Sequence, residues 1–123
     1  MLSQVCTKGV EGLRFVNKYA TFIAIDKFNP RFDYDIWCRR LAPSTELIKD
    51  YEEGKINWAM FTERFKKEMF CRVPELRRLA WKAVNEDVYL VSKKKRNPAH
   101  RFIVLDLIEE LAKRENIPVE ICR

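Results

Sequence analysis

Glycine is scarce in this chain, with 3 in 123 residues beside 5 prolines. That leaves no flexible linker and no low-complexity tract. It also leaves no glycine-rich phosphate loop, because neither G-x-x-x-x-G-K-[ST] nor G-x-G-x-x-G occurs. Histidine is scarcer still: His100 is the only one. A single histidine excludes the H-E-x-x-H zinc motif and gives no Ser-His-Asp or Cys-His arrangement. The four cysteines, Cys6, Cys38, Cys71 and Cys122, are widely spaced with no C-x-x-C. No metal site is expected from them, and nothing implies a cofactor. They are expected to be reduced and largely buried, with a disulfide plausible only in a hyperthermophile. No apolar run approaches a membrane span, and the start MLSQVCTKGVEGL lacks the layout of a signal peptide. No internal repeat stands out. These absences predict a soluble, cytoplasmic protein with no membrane partner, folded as one domain over residues 1–123. They set no oligomeric state.

Positive charge is in excess. Lys and Arg number 24 against 18 Asp and Glu, for a net charge of +6. The excess suits anionic partners, yet both signs are mixed along the chain, and such a charge is also what solubility alone requires. The heavy use of Lys, Arg, Glu and Ile is thermophile-like.

Two runs are apolar on both faces and read as buried strands: Tyr19 to Ile25, ending at Asp26, and Asp87 to Val91. Ile117 to Ile121 alternates and is predicted as an edge strand, and Leu2 to Cys6 is a weaker candidate. Between them lie helical stripes. Trp58, Phe61, Phe65 and Met69 fall on one face of residues 57–70. Leu76, Leu79, Ala80, Ala83 and Val84 do so in residues 74–84, with Pro74 suited to the first helical position. Ile103, Val104, Leu107, Ile108 and Leu111 do so in residues 98–114. Shorter helices are predicted over Tyr34 to Leu41 and Thr45 to Glu52, the latter capped by Ser44. Buried strands separated by helices imply an α/β fold: a small, mostly parallel sheet of about four strands flanked by helices on both faces. Ligands in such folds bind beyond the C-terminal strand ends. That rule selects residues 26–31 and 92–101.

The second segment carries an electrostatic conflict. Lys93, Lys94, Lys95 and Arg96 precede Asn97–Pro98, a good helix start, and His100 and Arg101 occupy the first turn. Cations at a helix N-terminus are unfavourable by roughly 0.3–1 kcal/mol each. A bound phosphate or carboxylate would relieve this, since dipole, amides and side chains would all favour it. The plainer alternative is a solvated basic loop. Lys27 and Arg31 would join the same anion site, and Asp26 could act as a general base or orient a basic partner; its plainer reading is an ion pair with a neighbouring Arg or Lys. The Cys71-to-Arg77 spacing matches phosphatase loops, but a helix precedes it and no glycine is present. Nucleic acid is a further partner for basic charge, although no recognition motif or basic helix face stands out.

The stretch from Ile23 to Met69 also resembles, as a whole, the domain of unknown function 488 family in its YeaO-like branch. Ile25, Asp26, Lys27, Pro30 and Arg31 sit where that family has an L-V-D-R-L-W-P-R-G-like segment. Trp37 fits its tryptophan-bearing helix, Leu41, Ala42, Pro43, Ser44, Glu46 and Leu47 its L-A-P-S-x-E-L motif, and Trp58, Phe61 and Phe65 its helix rich in aromatic and basic residues. Asn29 and Phe32 depart from the first segment, and Ala99–His100–Arg101 stands where members often carry H-N-H. The resemblance spans roughly residues 20–112, implies a small α/β fold, and picks out Asp26, Lys27, Arg31 and Ser44, with Pro43 and Ser44 as motif residues. It implies no activity, the family being uncharacterised. Three functions follow as expectations: binding, extending to processing, of a small anionic ligand, phosphorylated or nucleotide-like; non-specific association with nucleic acid; or a protein-interaction module without a ligand.

Overall fold

The computed structural model describes residues 1–28, 31–94 and 98–123. Four strands, β1 (Leu2–Cys6), β2 (Thr21–Ala24), β3 (Ile36–Trp37) and β4 (Val88–Ser92), form one sheet in the order β1-β4-β2-β3. Every neighbouring pair is parallel. The small α/β fold expected from the alternation of apolar runs and helical stripes is therefore the fold observed. Among the described residues no helix is long and apolar enough to cross a membrane.

The helices divide unequally between the two faces. Leu2, Ile23, Val88 and Leu90 point to the main core, where they meet Leu47 of α2 (Thr45–Glu52) and Phe61, Phe65 and Met69 of α3 (Trp58–Met69). Leu76, Leu79, Ala80 and Ala83 of α4 (Val73–Asn85) and Ile103, Val104 and Ile108 of α5 (His100–Glu115) complete it. The opposite face presents Phe22 and Val91, covered by Val10 and Leu13 of α1 (Val10–Val16) alone.

Local signals explain the helix ends. Ser44 Oγ accepts the amide of Leu47, and Asn57 Oδ1 accepts that of Met60, so both α2 and α3 start on side-chain caps. Gly54 takes φ 73° just after α2 and Asn116 takes φ 56° at the end of α5, the left-handed geometry that stops a helix. Ser44 has a second role. Its hydroxyl donates to Glu68 Oε2 at 2.6 Å and its amide donates to Glu68 Oε1 at 2.9 Å, which fastens the start of α2 to α3.

Three expectations need correction. Tyr34 to Leu41 is not a helix. Ile36 and Trp37 pair with Ile23 and Ala24 as β3, and only Arg39–Leu41 forms a 3-10 turn. Tertiary pairing wins here because Asp35 Oδ2 accepts the amide of Phe22 at 2.8 Å and the Asp35 amide reaches the Phe22 carbonyl at 2.8 Å, locking the segment to the edge of β2. Ile117 to Ile121 is not a strand. It touches β1 through a single bridge, Leu2 to Ile121, since Pro118 lacks an amide and Val119 donates to its own neighbour Ile117. Finally, the cysteines are free thiols, but only Cys6 and Cys38 are partly covered. Cys71, in a 3-10 turn, and Cys122, in the C-terminal tail, are exposed.

Replacing Ser44 with alanine removes the cap and both partners of its hydroxyl while leaving Glu68 half-satisfied. Urea unfolding is expected to show a loss of about 1–3 kcal/mol with an unchanged m-value. A loss near zero would mean that the α2–α3 fastening contributes nothing.

Candidate functional site

After β2 the chain turns outward to β3, whereas after β4 it enters α5 and returns to the outer side of β1, where Cys122 and Glu120 hydrogen-bond Leu2. The C-terminal ends of β2 and β4 are adjacent and their connections diverge. That is a topological switch point, the place where open parallel sheets leave a crevice. The crevice here opens into a cavity of about 1020 Å³.

Its floor is built by the two strand ends. Asp26 follows β2, and its Oδ2 accepts the backbone amide of Lys93 just past β4, at 3.0 Å. The Asp26 carbonyl accepts the Trp37 indole N–H at 2.8 Å, so β3 helps to fix the turn. His100, the first residue of α5, lies across the same gap. Its Nε2 is 2.8 Å from the Ile25 carbonyl and 3.9 Å from Asp26 Oδ1. A carbonyl can only accept, so Nε2 carries a proton and donates it. Burial lowers the His100 pKa to about 4, with the charge of Arg101 acting in the same direction and the Ile25 carbonyl opposing both. The imidazole is therefore neutral at pH 7 and Nδ1 has a free lone pair. Phe65 packs edge-on against it at 5.9 Å. Burial pushes the Asp26 carboxyl above its ordinary range, against the Lys93 amide and the charges of Arg101 and Lys93, which pull it down. The site thus sets a carboxyl raised by burial beside an imidazole that burial keeps neutral.

The walls are apolar. The α2–α3 hairpin contributes Ile48, Tyr51, Ile56, Trp58 and Phe61, and the segment after β2 contributes Phe28 and Phe32. Pro43 closes one side. The mouth is cationic: Lys27, Arg31, Lys93 and Lys94 line it, with Glu52 opposing them. Lys94 Nζ lies 5.6 Å from the centre of the Tyr51 ring and so links the mouth to the aromatic wall.

Of the residues singled out in the sequence, Asp26, Lys27, Arg31, Lys93, Lys94, Pro43 and His100 line this one cavity. Ser44 lies beside it as the cap of α2. Lys95, Arg96 and Asn97 lie outside the described residues, and the Asn97 cap falls with them; the described part of the last helix starts at His100, two residues later than Pro98. Arg101 turns the other way. It is 2 % exposed and runs beneath the sheet, where Nε donates to Gln4 Oε1 at 2.7 Å and NH1 donates to Ser92 Oγ and to the Lys94 carbonyl. It braces the β4 loop from below. The hairpin wall was not visible as a site in the sequence. Trp58 and Phe61 carry a helical stripe that reads as core, and nothing in Ile48, Tyr51 or Ile56 separates a wall from a core position.

A parallel four-stranded α/β protein with a half-buried acid at the switch point and a cationic, aromatic-walled cavity above it is the class that fold and site define. A family model described as the active DUF488-N3 subclade matches residues 7–112, and the chain belongs to the DUF488 family. No curated protein and no solved structure matches it.

Because His100 is the only histidine, its ring can be followed without assignment. Two-dimensional ¹H–¹⁵N spectra are expected to show the Nε2–H tautomer at pH 7 and a midpoint near 4. Protonation is disfavoured in the folded state, so the unfolded chain binds the extra proton between the two pKa values. The contribution to stability is fully present above about 6.5 and is lost as pH falls toward about 4, by roughly 3 kcal/mol in all. His100→Gln keeps a donor for Ile25 and cannot titrate. The stability of the wild type relative to this variant should fall by that amount across the window; a constant difference would place His100 in ordinary solvent.

Proposed function

We propose that this protein binds, and processes, a small anionic ligand of the phosphorylated or nucleotide-like kind at the C-terminal ends of β2 and β4. The observation that carries the reading is the convergence of Lys27, Arg31, Lys93 and Lys94 on one cavity whose floor is the half-buried carboxyl of Asp26. Four cations against Glu52 at the mouth create a field that concentrates anions, and the apolar walls below strengthen it by excluding water. These cations face a concavity, which favours a small ligand over the convex surface of a duplex. The volume supports the same conclusion, since pockets for small molecules and cofactors span about 300–1,000 Å³.

Asp26 gives the site its chemistry. An anion next to it adds like charge and raises its pKa further, so binding should draw a proton onto the carboxyl. The protonated acid can then donate to the ligand's oxygen or leaving group, and the carboxylate can take a proton back. His100, neutral with its Nε2–H donated to the Ile25 carbonyl, fixes the end of β2 beside Asp26. Lys27, Arg31, Lys93 and Lys94 hold charge; Asp26 moves the proton, and His100 keeps the floor in place.

Inorganic phosphate, compared with chloride at matched ionic strength, is expected to raise the melting temperature by several degrees, since an anion at a hundred times its Kd adds about 2.7 kcal/mol. Exchanging both Lys93 and Lys94 for glutamine should remove most of that shift. An equal shift in wild type and double variant would sink the anion site.

Asp26→Asn tests the proton. Calorimetry in buffers of different ionisation enthalpy should show proton uptake on phosphate binding by the wild type and none by the variant. The variant, freed of a like charge, should bind phosphate more tightly above neutral pH. Weaker binding there would show that Asp26 is an ordinary ion-pair partner.

A further inference from the structure

Resting on the anion-binding reading, we infer that the ligand also carries a flat aromatic ring, making it a nucleotide rather than a sugar phosphate or an acyl anion, with the ring held between Phe28 and Phe32 on one side and the Tyr51–Trp58 wall on the other. The hairpin side is a built aromatic surface. The Trp58 and Phe61 rings stack at 4.6 Å with 11° between planes, and Tyr51 meets Trp58 edge-on at 5.4 Å and 65°. The segment after β2 supplies its counterpart from an exposed position: Phe28 is 68 % exposed and Phe32 is 43 % exposed, yet both line the cavity. Two phenyl rings left in water at the entrance of a pocket hold unfavourable surface that a stacking guest would cover.

The distribution of polar groups decides among anions. A sugar phosphate needs donors and acceptors along its whole length, whereas among the described residues the polar lining comes mainly from the two strand-end loops, His100 and Glu52, and the wall adds only the hydroxyl of Tyr51 and the indole N–H of Trp58. A fatty acyl anion would match the apolar walls but would gain nothing specific from so many rings, which a flat π-system can meet by offset stacking or edge-on contact. The link between charge and ring is also short. Lys94 Nζ sits 5.6 Å from the Tyr51 ring, so a guest with its phosphate on the lysines has its ring only about one sugar unit away. A nucleoside monophosphate has that layout, and stacking on aromatic side chains takes any base.

Calorimetry on the full chain with AMP, UMP, ribose 5-phosphate, adenosine, decanoate and inorganic phosphate tests this. AMP and UMP are expected to bind at least about tenfold more tightly than ribose 5-phosphate, and adenosine less tightly than AMP. Phe28→Ala, at an exposed loop position that the fold does not need, should weaken AMP by about tenfold and leave ribose 5-phosphate unchanged. AMP should quench tryptophan fluorescence in the wild type, and Trp58→Phe should remove that quenching. If ribose 5-phosphate binds as tightly as AMP, or Phe28→Ala weakens both equally, the ring is not recognised, although the anion site stands. If decanoate binds and AMP does not, the walls serve an alkyl chain and the inference falls. If no anion binds at all, the anion site and the ring inference fall together.

Discussion

The arrangement of the site depends on one join, where the Asp26 carboxylate accepts the Lys93 amide and ties the end of β2 to the end of β4. Adjacent parallel strands pair along their length, but beyond their ends nothing obliges the outgoing chains to stay together, and here they leave in opposite directions. The join is reinforced on both sides. His100 donates to the Ile25 carbonyl from the start of α5, and the Arg101 guanidinium holds Ser92 and the Lys94 carbonyl from beneath. Consecutive residues of one helix thus brace the two strands between them. A guanidinium taken out of water costs several kcal/mol unless its donors are satisfied, so this brace tolerates little displacement, and the loop above it inherits that rigidity.

The same join explains why Asp26 is an uncomfortable carboxylate. One backbone amide and two positive neighbours favour its charge, yet burial outweighs them and its pKa rises. A residue chosen only for stability would be an amide, which could accept the Lys93 N–H without charge. Retaining an acid in that position costs the folded state something at neutral pH, and such costs concentrate where a protein uses the group. Ser44 offers the contrast. Its hydroxyl and amide are both spent on Glu68 and its oxygen caps α2, so it stabilises the hairpin that carries the wall rather than meeting a ligand.

Much of the fold was legible because its signals are local and redundant. Residues 19–25 and 87–91 are apolar on both faces, which a two-sided sheet demands, and the stripes of α3, α4 and α5 repeat at helical spacing. Ser44 as a cap follows from its place before a helical pattern. The edge β3 was not legible. It is two residues long, and its pairing comes from Asp35 reaching Phe22, a contact no periodicity encodes. The one-residue bridge at Ile121 was misread as a strand for the complementary reason: alternation was present, but Pro118 breaks the ladder. At the site, the strand-end rule pointed to both segments that line the cavity. It could not reveal the hairpin wall, since Trp58 and Phe61 are core and lining at once, nor that Arg101 points inward, because burial of a charge depends on partners as remote as Gln4.

The conflict between cations and the start of α5 resolves differently from how a charge count suggests. His100 adds nothing to it, being neutral, and Arg101 carries its charge under the sheet into contact with Gln4 and Ser92. Asp26 brings a carboxylate within 3.9 Å of the first helical side chain, so part of the tip is already balanced from within. The field at the mouth therefore comes from Lys27, Arg31, Lys93 and Lys94, long side chains that can each move toward a guest, and not from the rigid pair at the helix start. On the proposed anion-binding reading, held groups below and adaptable charges above divide the labour: the floor would fix where a reacting atom sits, while the mouth would adapt to anions of more than one shape. On that reading selectivity would come from the walls, which are largely aromatic.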